Sequence, residues 1–166
     1  PAGVRFTDDA AAAMKDPSIG VVIELIGGLG SARKIQMEAL KNKKHVVTAN
    51  KALLAEHGDE LLEEARRQGV QLRFEGGVAG GIPIIKLFTE ALAANRIERL
   101  YGIINGTANY ILTQMLQKGL TFAEALKDAK RLGFAEADPS FDIEGTDTAH
   151  KLVLLCRLAF GVNMPF

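Results

Sequence analysis

Three short apolar runs constrain this chain more than any other feature: IGVVIEL at residues 19–25, HVVT at His45–Thr48 and VQLRFE at residues 70–75. Each has the length of a strand and ends in glycine or polar turn residues, and the first two are of the near-continuous type that strands buried on both faces show. Helical sequence lies between them. Ser31 is expected to cap a helix to about Asn42 with Ile35, Ala39 and Leu40 inward, and a helix through residues 59–67 is expected to stop at Gly69. Upstream, residues 4–7 read as a further short strand, and Asp8 or Asp9 as the cap of a helix through AAAAM. Strand, helix, strand, helix with short connections argues for parallel strands joined by crossover helices. The expected fold class is α/β, opening on a partial Rossmann-type parallel sheet. In such sheets ligands bind beyond the carboxyl ends of the strands, so Gly27-Gly28, Asn50-Lys51 and Glu75 onward are expected to face one crevice.

Gly28-Leu29-Gly30-Ser31-Ala32-Arg33 follows a strand and opens a helix, as the dinucleotide fingerprint G-x-G-x-x-G does. It fails at the third glycine, where Arg33 stands, and no acidic residue closes the next strand to hold a ribose. The phosphate-binding turn is expected upstream of Pro1. After Glu75 the strict rhythm lapses. GGVAGGIP, residues 76–83, is too rich in glycine for a helix and leaves backbone groups open to close approach by a ligand or ion, or serves as a tight turn alone. Pro83 suits a first helical position, with that helix ending near Asn95, and residues 99–104 (RLYGII) read as a strand. Thr107 is expected to cap ANYILTQMLQK, Gly119 to end it, and Thr121-x-x-Glu124 to form a capping box for a helix to Leu132 with Phe122, Ala125, Ala129 and Leu132 on its apolar face. A change of domain is expected between Lys51 and Glu75, since the strict rhythm gives way afterwards.

Twenty basic residues balance twenty acidic ones, which leaves no basic field for nucleic acid. No apolar run approaches the roughly 20 residues that cross a bilayer. The one cysteine, Cys156, sits in an apolar helical pattern as a small hydrophobe, fitting a reducing cytoplasmic setting. His45, His57 and His150 lack the spacing of a zinc site. A small molecule is the expected partner.

Residues 133–151, GFAEADPSFDIEGTDTAHK, form an acidic loop that runs into the apolar helix LVLLCRLAF. The loop is bounded by Gly133 and interrupted by Asp138-Pro139, and the helix is expected to start near Thr146 or Asp147. Asp147 and Lys151 stand at i, i+4 on a face that continues as Leu155 and Leu158. One reading is a surface ion pair worth roughly 0.2–0.5 kcal/mol. The other is a poorly hydrated lysine at a core rim, suited to proton transfer, beside carboxylates that hold a cationic substrate.

Four segments carry a family resemblance: VVTANKALLA at 46–55, EGGVAGGIPIIK at 75–86, GIINGTANYIL at 102–112 and the stretch 133–151. Together and in this order they resemble homoserine dehydrogenase. The resemblance implies NAD(P)-dependent interconversion of L-homoserine and L-aspartate 4-semialdehyde, on the way to threonine, methionine and isoleucine, by a cytoplasmic homodimer. It implies residues 1–74 as the C-terminal part of an NAD(P)-binding Rossmann domain and residues 75–166 as an incomplete mixed α/β catalytic and dimerisation domain. It implies Lys151 as proton donor and Lys51 as a second active-site lysine near substrate and nicotinamide. Glu136, Asp142 and Asp147, with Lys51, then match substrate-binding positions, and Ile26, Gly27, Asn50, Lys51 and Gly133 match NAD or NADP contacts. Backbone oxygens of Glu75, Val78, Gly80 and Ile82 correspond to a sodium site. Two alternatives stay open: a related amino-acid dehydrogenase, and a non-catalytic dimerising or substrate-binding module.

Overall fold

The structure, a computed structural model, describes residues 3–166; Pro1 and Ala2, with which the first expected domain begins, lie outside the described residues. The chain divides into two compact units, one running to Ala94 with Pro165, the other spanning Asn95–Met164 with Phe166.

The first unit is a parallel sheet with helices. After helix α1 (Ala10–Lys15) come β1 (Val21–Glu24), α2 (Gly30–Lys41), β2 (His45–Thr48), α3 (Lys51–Gln68) and β3 (Leu72–Arg73). The sheet order is β1-β2-β3, with Val21 opposite His45 and Val46 opposite Leu72. All pairings are parallel, as the alternation of strands and helices requires. Leu40, Leu53, Leu54, Leu61 and Val46 are fully buried here, each worth about 1.5–3 kcal/mol on removal from water. Asp9 caps α1, accepting the Ala12 N–H at 2.9 Å. Gly69 closes α3 at φ 69°, a left-handed turn that costs glycine little.

Several expectations give way here. Val21 and Ile23 are 52% and 65% exposed, so β1 is buried on one face only, and β2 alternates in the same way. Residues 4–7 form no strand; Phe6 is 93% exposed, and a lone extended segment has no neighbour to take its backbone hydrogen bonds. Ser31 lies inside α2, which starts at Gly30 without a side-chain cap. The third strand shrinks to two residues before the chain turns through a 3₁₀ segment at Glu75–Gly77. Pro83 stands just before α4 (Ile84–Lys86) and not at its first helical position, and the helix widens into a π-helical turn over Leu87–Ala91 and so ends before Asn95.

The described residues of the second unit build helices: α5 (Gly106–Lys118), α6 (Phe122–Leu132), the short α7 (Ser140–Ile143) and α8 (Thr146–Phe160). Ile111, Ala125, Ala129 and Ala135 form its core, with Tyr110 stacked on Phe134 at 4.5 Å. Small alanines on one face of α6 let α5 approach closely. The capping box at Thr121 and Glu124 forms as expected, and Gly119 and Gly133 close their helices at φ 68° and 79°. Leu132 and Phe122 stay about half exposed. Residues 99–104 are irregular instead of a strand, with Tyr101 92% and Ile103 68% exposed, because no strand lies alongside them.

Candidate active site

Two groups of residues meet the chemistry that the sequence points to, one in each unit. In the first, the carboxyl ends of β1 and β2 lie side by side. Asn50 stands just beyond β2, where its side chain accepts the Leu53 N–H at 3.2 Å as the cap of α3 and donates to the Gly28 carbonyl at 2.7 Å. Lys51 is the first residue of that helix. Ile26 and Gly27 form the turn after β1, with Ile26 63% exposed and Gly27 at φ 76°. Gly76, after β3, comes so close to β2 that a Cβ there would sit 3.2 Å from the Ala49 Cβ. The three strand ends therefore gather at one edge of the sheet.

Beneath this edge lies Glu24, a 2%-exposed carboxylate. Oε1 accepts the Ile26 and Gly27 N–H groups at 2.7 and 2.9 Å, and Oε2 accepts from Gln36 and Thr48 at 2.7 and 2.8 Å. Burial disfavours the charge, but the hydrogen bonds from Gly27, Thr48, Gln36 and Ile26 outweigh it and hold the carboxyl below its usual range.

In the loop after β3, the Glu75 carboxylate accepts the Ile85 and Lys86 N–H groups at 2.8 and 2.9 Å, filling the open end of α4. Val78 is buried and Gly80 and Ile82 are exposed, with Ala79 at φ 50°. The Ile82 carbonyl accepts the Ile84 N–H at 2.8 Å, which leaves its second lone pair for a further contact. Among the described residues, no three or more His, Cys, Asp or Glu side chains gather to hold a metal.

The second unit holds the carboxylate cluster. Asn105 caps α5, its Oδ1 accepting the Ala108 N–H at 2.7 Å. Its Nδ2 donates to Asp142 Oδ1 at 2.7 Å and to Asp147 Oδ2 at 2.8 Å. Lys151 Nζ reaches the same Asp147 oxygen at 2.6 Å and the Ile104 carbonyl at 2.8 Å. The Thr107 hydroxyl lies 2.7 Å from the Phe134 carbonyl and 2.8 Å from Asp142 Oδ2; with one proton it serves one of them at a time.

The side chains of Asp147 and Lys151 are only 7% and 18% exposed, so the pair is not the surface ion pair of the simpler reading. Gly145, at φ 85°, precedes α8 where a capping side chain was expected at Thr146 or Asp147. Asp142 and Asp147 thus come together with Lys151. Glu136 stands exposed on the loop, and Gly133 closes α6 with its N–H on the Lys130 carbonyl at 3.2 Å.

Sequence reasoning passed over two residues, Asn105 and Glu24. Asn105 carried its signal in the Asn-Gly pair after RLYGII, where the cap was assigned instead to Thr107, whose hydroxyl turns to Asp142. Glu24 was visible as the one charge inside IGVVIEL.

Among the described residues, no helix is long and apolar enough to cross a membrane. The sequence matches the family model "Homoserine dehydrogenase, NAD binding domain" over residues 2–75 and the model "Homoserine dehydrogenase" over residues 83–166. It is 56% identical over 151 residues to a homoserine dehydrogenase of Pseudomonas aeruginosa, covering 91% of this chain and 35% of that protein. The crystal structure of a homoserine dehydrogenase from Thiobacillus denitrificans superposes with a TM-score of 0.90 at 56% identity, over 96% of this chain and 37% of that one. A hyperthermophilic archaeal homoserine dehydrogenase in complex with NADPH gives 0.84 at 30% identity, over 95% of this chain and 49% of that one. The chain thus spans a little over a third of the length of the first two. One model covers the sheet edge of the first unit and the other the carboxylate–lysine cluster of the second, and the chain belongs to the homoserine dehydrogenase family.

Proposed function

We propose that this chain is part of an enzyme that interconverts L-homoserine and L-aspartate 4-semialdehyde with NAD or NADP. The observation that carries the reading is Lys151, held at a largely buried position by Asp147 and the Ile104 carbonyl. An ammonium group has three N–H donors. Two are committed, and the third is left to reach the reacting oxygen of the substrate.

The cofactor, when bound, supplies or accepts the hydride at the carbon bearing that oxygen. Lys151 delivers a proton to the oxygen as the aldehyde is reduced and takes it back from the hydroxyl in the other direction. Asp147 keeps the ammonium aimed, and Asn105 keeps Asp147 in place. Asp142 and Glu136 supply negative charge for the α-ammonium of the amino acid, while Thr107 donates where its proton is free. Lys51 assists at substrate and nicotinamide from the start of α3. Ile26, Gly27, Asn50, Lys51 and Gly133 contact the cofactor.

The remaining family features complete the proposal. Residues 1–74 belong to the nucleotide domain and residues 75–166 to the catalytic domain. The carbonyls of Glu75, Val78, Gly80 and Ile82 hold a sodium ion, since oxygen donors suit a hard cation. The enzyme acts as a homodimer in the cytoplasm, in threonine, methionine and isoleucine formation. Exposed Tyr101, Ile103, Leu112 and Leu116 support a partner surface, and a single cysteine suits a reducing compartment.

The reading is tested with an enzyme of the relatives' length that carries this segment, supplied with L-homoserine or other hydroxy amino acids and NAD or NADP. Cofactor reduction with L-homoserine, and at least a hundredfold slower reduction with L-serine or L-threonine, is expected. Equal rates with all three, or none with L-homoserine, would contradict it.

A further inference from the structure

Glu24 is the one buried carboxylate at the cofactor edge of the sheet that the proposed chemistry leaves without a task. Burying a charge is costly unless hydrogen bonds replace its water, and here four uncharged donors do so. Leucine or valine in its place would leave those four donors without their acceptor. What the carboxylate adds is connection. Two of its donors are backbone N–H groups of the turn after β1, at Ile26 and Gly27. A third is Gln36, on α2. The fourth is Thr48, the last residue of β2, whose hydroxyl also accepts the Asn50 N–H at 3.0 Å. Asn50 in turn holds the Gly28 carbonyl and caps the helix that begins with Lys51. One carboxylate thereby links both turns of the sheet edge, directly at Ile26–Gly27 and through Thr48 at Asn50–Lys51.

We infer that Glu24 is a positioning residue for the cofactor, which fixes the Ile26–Gly28 turn and the Asn50–Lys51 turn relative to each other. The inference rests on the proposed cofactor contacts at those two turns. Charge-assisted bonds to an ionised carboxylate are shorter and stronger than neutral ones, so the turns are held more tightly than an amide could hold them. Glutamine has the same shape but one acceptor oxygen and an NH₂ group, which would face donors and lose at least two of the four bonds.

The test uses Glu24→Gln in an enzyme of the relatives' length carrying this segment. Amide hydrogen exchange at Ile26 and Gly27 is expected to speed up at least tenfold. The Kd for NADPH or NADH, whichever the unaltered enzyme binds more tightly, read by fluorescence titration, is expected to rise at least tenfold, and KM for that cofactor with it. The KM for L-homoserine is expected to rise at least threefold less than the cofactor Kd, since of these two turns only Lys51 is assigned to the substrate. Faster amide exchange with an unchanged cofactor Kd would reduce Glu24 to a structural residue and overturn the inference. Unchanged exchange would overturn it too, as would a loss shared equally between cofactor and homoserine.

Should Glu24→Gln fail to fold, Thr48→Val cuts the link to Asn50 and Thr48→Ser restores it. Cofactor Kd is then expected to rise tenfold in the valine variant and return to within twofold in the serine variant; no rise in the former, or no return in the latter, overturns the inference. If the unaltered enzyme binds the cofactor but leaves homoserine unoxidised, the proposed function fails while the exchange and Kd comparisons still decide the role of Glu24.

Discussion

Asn105 shows how much a single amide can organise. Its oxygen caps α5 and its nitrogen bridges Asp142 and Asp147, so Asn105→Ala removes a helix cap, worth about 1 kcal/mol, and takes one donor from Asp142 Oδ1 and one from Asp147 Oδ2, which keeps Lys151, at about 1–3 kcal/mol. Urea denaturation is expected to report a loss of roughly 2–4 kcal/mol from those two sources. A loss under 1 kcal/mol would mean that the bridge is not made in solution. Glu24 makes a second prediction, through pH. Its carboxyl is held below the ordinary value of 4.5, so the unfolded chain takes up the proton first. The stabilisation is therefore fully present above about pH 4.5 and is lost as pH falls through the lower value of the folded state. The gap in thermal midpoint between the unaltered protein and Glu24→Gln is expected to be constant above pH 6 and to narrow on acidification to pH 3. A gap independent of pH over that range would mean that the carboxyl titrates alike in the folded and unfolded chain and is not held below its ordinary value.

Helices announced themselves in sequence wherever their ends carry local chemistry. Gly69, Gly119 and Gly133 each stop a helix with positive φ, and Thr121 with Glu124 starts one, because caps act within a single turn and need nothing distant. Gly119→Ala tests this directly. A Cβ there meets nothing within 4 Å, so the cost is backbone strain alone, expected at about 1–2 kcal/mol in urea denaturation. Strands are less legible, since a strand exists only through its neighbour. Residues 19–25, His45–Thr48 and residues 70–75 found neighbours and paired, while residues 4–7 and 99–104 carry similar patterns and did not. The site divides along the same line. The i, i+4 spacing of Asp147 and Lys151 is local and was readable, but the burial of the pair and its link to Asn105, 42 positions upstream of Asp147, depend on how α7 packs against both α5 and α8. Glu24 looked like a charge at a strand end until its four donors were in view.

Across the whole chain, the two units divide the proposed work. The first presents strand ends, Asn50 and Lys51 for the cofactor, and the second presents Lys151 and its carboxylates for the amino acid. Family membership covers both, through separate models on either side of Glu75 and Pro83. The central claim is that proton transfer belongs to Lys151, and it is tested most directly by kcat/KM for L-homoserine in Lys151→Ala, within an enzyme of the relatives' length. General acid–base catalysis contributes about 10²–10⁴-fold, and a loss of that size is predicted with the cofactor Kd unchanged. A loss of less than tenfold, about 1.4 kcal/mol of barrier, would contradict the assignment of Lys151 and with it the account of the carboxylate cluster as a catalytic site.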